Sequence, residues 1–158
     1  MAMTMKVDGL EELSRKLTDL GDRAEEVAAK ALYAGAGVMA NAYRNAAASV
    51  RAQPFRYAVF KKRDPSFEEK AAIQGQTGIA KFDKSGSEVQ TSVGLKGSGY
   101  VTIAGKQKAV RKIANAINSG TSFMNKQPVF RKASTQTAKA ASAAIVAKAD
   151  QLIAEITK

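Results

Sequence analysis

The chain has 158 residues, with 25 Lys and Arg against 14 Asp and Glu, a net charge of +11, and neither His nor Cys. That length can bury a core in one domain, and the missing residues remove the commonest general base and metal ligand, every thiolate and every disulfide. We therefore expect one domain over residues 1–158, no cofactor, no metal and no catalytic site, because carboxylates alone remain for chemistry.

Those carboxylates are unevenly placed. Asp8, Glu11, Glu12, Asp19, Asp22, Glu25 and Glu26 fall within the first 26 residues, at spacings that suit helix starts and solvated faces. Residues 89–149 hold no carboxylate and ten bases, among them Lys106, Lys108, Arg111, Lys112, Lys126 and Arg131. These six are the candidate electrostatic contacts, since such a surface attracts polyanions or an acidic protein face. No apolar run reaches the length of a membrane span and the N-terminus carries no signal-peptide core. This predicts a soluble chain made in the cytosol, with no membrane partner.

In chain order, Val7, Leu10, Leu13, Leu17 and Leu20 recur at three- and four-residue steps and predict a first helix, capped by Asp8 with Glu11 and ended by Gly21. Asp22 and Glu25 repeat the capping spacing and open a longer helix over 23–50. Its centre, residues 34–42, is nearly all small, and Gly35 and Gly37 each cost about 1 kcal/mol there relative to Ala. A helix that tolerates this predicts another backbone packed close, within the subunit in the first instance and across a subunit seam in the second.

Residues 51–65 interleave Phe55, Tyr57 and Phe60 with Arg51, Arg56, Lys61, Lys62 and Arg63. Bases among aromatics can stack on a single strand of nucleic acid. With no nucleic-acid-reading motif beside them, an extended connection packing its aromatics inward is the preferred reading. A short helix is expected after Asp64, with Pro65 at its first position. Val89, Thr91, Val93 and Leu95 alternate with polar residues, Gly97-Ser98-Gly99 reads as a turn, and residues 100–104 as the partner strand of a hairpin.

Helical spacing returns from Ala109 to Ile117 and stops at Gly120, where a left-handed glycine would end it. The last helix is expected from Pro128 to about Thr157, with Phe130, Ala133, Ala141, Ala144, Ile145, Lys148, Leu152 and Ile156 on one stripe. The expected fold is α+β: two N-terminal helices, one of them long, a small antiparallel β-sheet or hairpin region, and a long C-terminal helix. The Gly-rich pieces at 75–78 and 94–99 do not match a phosphate-loop signature and read as turns. Ser119, Thr121 and Ser122 lack an organising base and read as corner and cap residues.

The order of these pieces resembles a family. MKVDGLEELSRKLTDLGDRAEEVAAKAL at residues 5–32, QTGIAKF at 76–82, the β region, and NSGTSFMNKQPVFRKA at 118–133 follow the plan of the tail-completion and head-tail joining (neck) proteins of long-tailed, non-contractile bacteriophages. Asn118 and Ser119 stand where that family usually carries an acid and an aromatic, and one residue separates Pro128 from Phe130. The resemblance implies a virion structural protein, assembled in the host bacterial cytoplasm, that forms a six-fold homo-oligomeric ring where tail meets head. It implies tail tube or tail terminator and head connector proteins as partners, with weak contact to packaged DNA. Gly120, Thr121, Phe123, Met124, Pro128 and Phe130 become the candidate corner and interface residues: Gly120 turns the chain, Phe123 and Met124 offer a deformable apolar contact, and Pro128 with Phe130 sets how the last helix departs. The alternative is a small basic protein that binds nucleic acid without sequence preference, which accounts directly for the charge.

Overall fold

The computed structural model describes residues 2–4, 21–57, 61–81, 83–85, 88–95 and 99–156. The expected first helix lies outside them, as do Phe60 and the Gly97-Ser98 half of the expected turn. A 3-10 turn, Gly21–Arg23, leads into α1 (Ala24–Ser49). Arg23 stands at the N-cap of α1 and makes no side-chain capping bond; the Asp22 side chain, and with it the expected capping pair of Asp22 and Glu25, lies outside what the structure describes. The remaining helices are α2 (Phe67–Gln76), α3 (Val110–Ser119) and α4 (Val129–Ile156).

The two long helices pack antiparallel. Leu32 of α1 clusters with Ile145 and Ala149 of α4, Ala36 and Ala40 with Ala141, and the Tyr43 ring lies 5.9 Å from that of Phe130. The small-residue run of α1 does let a neighbour close in: a Cβ on Gly35 would stand 2.9 Å from the Ala141 carbonyl oxygen, while one on Gly37 would meet nothing within 4 Å. The neighbour is α4 of the same subunit. Because α1 is nearly flat here, the fully buried line of α4 runs through Ser134, Ala141, Ile145 and Ala149. Ala141 and Ile145 were on the expected stripe; small Ser134 and Ala149 complete the seam, and the other six stripe positions are only half-buried.

Ser66 caps α2 with a reciprocal capping box, its hydroxyl accepting from Glu69 N at 3.2 Å while the Glu69 carboxylate accepts from Ser66 N at 2.8 Å. Pro65 was expected inside this helix. It lies one residue before the cap, buried, and its carbonyl accepts from Gln53 N at 2.9 Å.

The strands are β1 (Ala2–Thr4), β2 (Thr77–Ile79), β3 (Asp83–Ser85), β4 (Glu88–Gln90), β5 (Ser92–Leu95), β6 (Tyr100–Ile103) and β7 (Lys106–Ala109), all paired antiparallel. They form a sheet ordered β1-β5-β2 and two ribbons, β3-β4 and β6-β7. The strand signal at 88–95 is correct, and its expected partner is not. β4 and β5 pair backward, onto β3 and β2, and buried Thr91 spans the break between them by donating its hydroxyl to Ala80 O at 2.9 Å. β6 pairs instead with β7 across a two-residue turn in which Ala104 and Gly105 both have positive φ, 49° and 75°. Such a turn matches the twist of its strands, which a longer glycine loop does not enforce.

A second core forms where α2, α3 and the β6-β7 ribbon meet the end of α1, around Val50, Ile73, Ile103, Val110, Ile117 and Met124.

Candidate functional site: a braced corner before the C-terminal helix

Gly120 ends α3 at φ 77° and ψ 161°, with its N–H donating to Ala116 O at 2.8 Å. The positive φ matches expectation, whereas the ψ is extended and lies in a region that only glycine occupies freely. A Cβ there would also stand 2.9 Å from Lys126 Cβ. Beyond it the Thr121 hydroxyl accepts from Phe123 N at 3.3 Å and Met124 N at 3.0 Å, and Thr121 N donates to Met124 O at 3.1 Å. Four residues are thereby closed into a tight loop.

The loop is then laced to the connection between α1 and α2. Arg63 N donates to Phe123 O at 3.0 Å and Asn125 N donates to Arg63 O at 2.9 Å, a one-rung parallel bridge. Buried Gln127 accepts from Arg51 N at 2.8 Å and donates to Arg51 O at 3.1 Å and to Asp64 Oδ1 at 3.3 Å. On the other side Gln127 N donates to Ile117 O at 2.7 Å. The Asn118 side-chain oxygen accepts from Arg131 N at 3.2 Å, so a residue of α3 caps α4 from outside its own segment.

The corner candidates divide. Phe123 is 48% exposed on this fixed backbone. Met124, expected beside it as a contact for a partner, is 2% exposed and belongs to the second core; the bridge to Arg63 turns its side chain inward. Pro128 precedes α4, its carbonyl accepting from Lys132 N at 3.1 Å. Phe130 is half-buried and joins both cores, the packing role rather than the contact role.

The basic candidates also divide. Lys106 and Lys108 lie on β7, and Arg111 and Lys112 on the first turn of α3. Lys108 is already engaged, its Nζ 3.4 Å from Glu69 Oε1 and 5.4 Å from the centre of the Phe55 ring. At the far end of α3, Lys126 and Arg131 line one cleft of about 500 Å³, joined there by Lys132, Ser119 and Asn118. A second groove of about 340 Å³, lined by Tyr43, Leu95, Ala114 and Phe130, shares Asn118, Ser119 and Arg131 with it.

Beneath the corner sits a buried ion pair that sequence reasoning missed. Arg63 is 7% and Glu69 1% exposed, and the guanidinium donates to both carboxylate oxygens at 2.7 Å. Burial alone would raise the Glu69 pKa, but the bonds from Arg63 and Ser66 N, with the charges of Arg63 and Lys108, outweigh it and hold the carboxyl below its ordinary value. The Ser66-x-x-Glu69 spacing was a readable signal of the capping box; nothing in the sequence marked Arg63 as its partner rather than one of a run of solvated bases. Phe55 is half-buried under Arg63, 5.3 Å from ring centre to guanidinium, while Tyr57 is 69% exposed. The inward packing expected of this connection therefore holds for Phe55 and not for Tyr57.

Among the described residues no group of three His, Cys, Asp or Glu side chains is placed to hold a metal ion, and no helix is long and apolar enough to cross a membrane. Comparison with protein-family models, curated proteins and solved structures finds no match to this chain.

Proposed function

We propose that the chain is a structural virion protein that assembles with copies of itself into a six-fold ring at the head-tail junction of a long-tailed, non-contractile phage. It closes the tail end there and offers a surface to the head connector, without catalysing a reaction. The observation that carries this reading is the exposed Phe123 on a loop whose backbone is tied on both sides. An aromatic ring held at low entropic cost is the kind of anchor that dominates interfaces. A head-to-tail ring needs two different patches on each subunit. The corner supplies one, and the acidic start of α1, with Glu25 and Glu26 in its first turn, supplies a candidate of opposite sign to the basic surface. The test is the mass of the protein with and without purified tails, wild type against Phe123→Ser.

A second reading, sequence-independent binding of nucleic acid, draws on the cleft bases Lys126, Arg131 and Lys132. Its mark is an affinity for duplex DNA that falls steeply with salt and does not discriminate between sequences.

A further inference from the structure

We propose that the cleft between the end of α3 and the start of α4 is a phosphate-binding site, with the Asn118 side-chain amide as its fixed donor and Arg131, Lys132 and Lys126 as its cations. Asn118 is 7% exposed and lines the cleft. Its amide orientation is set by Arg131 N, which donates to Oδ1 and so leaves Nδ2 as the free end. Among the described residues Nδ2 donates to no protein group. No fully enclosed side-chain nitrogen or oxygen among them lacks a hydrogen bond, so Nδ2 is open to the space where the cleft and the neighbouring groove meet at Asn118, Ser119 and Arg131. An amide held in one orientation, on a residue that is 7% exposed and lies beside three cations, offers its free N–H to a ligand at that junction.

The surrounding charge says which acceptor fits. Lys126, Arg131 and Lys132 all line the cleft with exposed side chains, and among the described residues no carboxylate pairs with any of them. The first-turn amides offer little: Val129 N, Arg131 N and Lys132 N already have acceptors, so the helix contributes its dipole and the side chains must do the holding. Three cations and a neutral donor exceed what one carboxylate, with a single charge and two oxygens, can satisfy. A phosphate carries more charge and more acceptor oxygens, and a guanidinium fork matches its geometry. The ligand is therefore a phosphate group, either free or carried by a nucleic acid. The site does not depend on the ring-forming role.

Asn118→Asp is the discriminating variant, because it keeps the oxygen that caps α4 and replaces the free donor with a negative oxygen. Wild type and variant are titrated with sodium phosphate against sodium chloride at equal, low ionic strength, following the Asn118 side-chain NH₂ signals by NMR in the wild type and the Arg131 and Lys132 amides in both. We expect saturable shifts in the wild type, an affinity at least about tenfold weaker in Asn118→Asp, and an unchanged or higher Tm. Arg131→Gln, altered only in an exposed side chain, should show the same loss and carries the test if the first variant fails to fold. A thymidine dinucleotide with and without a 5′-phosphate separates the sources: binding only with the terminal phosphate assigns a phosphomonoester, and equal binding assigns the phosphodiester backbone. Affinity retained in both variants, shifts that never saturate, or saturation by a short poly-glutamate but not by phosphate would each overturn the proposal.

Discussion

Gly35 of α1 lies directly against Ile145 of α4, so that a Cβ on the glycine would sit 2.7 Å from Ile145 Cδ1 as well as close to the Ala141 carbonyl. The carbonyl belongs to helix backbone and has nowhere to move. Gly35→Ala should therefore destabilise the protein by about 1–3 kcal/mol despite the better helix propensity of alanine, because overpacking outweighs it. Gly37→Ala, two residues along the same helix and facing open space, should stabilise by up to about 1 kcal/mol. Chemical denaturation of the two variants reads both signs; equal effects would mean that α1 and α4 do not meet at this seam.

Arg63→Met should cost about 3–5 kcal/mol, since it strands the Glu69 carboxylate in the core with only the Ser66 amide and a long contact to Lys108. The pH dependence follows from the lowered pKa of Glu69. Its folded value lies below its unfolded one, so the pair's contribution is complete above the ordinary carboxylate range and is lost as pH falls through the lowered folded value. In Arg63→Met the burial effect is no longer outweighed, and acidification should relieve the stranded charge. The gap between wild type and variant should accordingly narrow from pH 7 towards pH 3 in parallel denaturation curves.

Two positive-φ positions should respond in opposite directions. Ala104 pays for a left-handed conformation in an exposed turn that favours Asn-Gly, and Ala104→Asn should raise stability by up to about 1 kcal/mol. Gly120→Val meets both a glycine-only conformation and the Lys126 backbone, and should lose about 1–3 kcal/mol or more. Thermal unfolding gives the order: Ala104→Asn above wild type, Gly120→Val below.

The long helices were legible because periodicity and punctuation agree: α1, α3 and α4 lie within one residue of their expected limits, and Gly120 stops α3 as its place after the last periodic residue required. Strand pairing was not legible. Alternation at 88–95 marks a strand and leaves its partner open; the three-residue strand β2 hides in a Thr-Gly-Ile stretch that reads as a turn, and the real turn at Ala104-Gly105 carries an alanine where the signal would be asparagine. At the corner, Gly120 and Phe123 were visible as loop residues. Met124 was misplaced because a parallel bridge 61 residues away in sequence decides which way it faces, and the bracing roles of Gln127 and Asn118 were not legible because a polar side chain reveals its role only through the distant backbone it satisfies.

Assembly through the corner is tested most directly by one comparison: the mass of wild type and Phe123→Ser across a range of concentrations, alone and with purified phage tails, at matched Tm. Phe123 is half-exposed and is not one of the buried core residues, so its replacement should leave the fold intact. A ring-forming neck subunit should appear as a closed oligomer of six copies, on its own or on the tail, and Phe123→Ser should remain folded and monomeric. A wild type that stays monomeric at every concentration and in the presence of tails, or a Phe123→Ser protein that assembles as the wild type does, would contradict it.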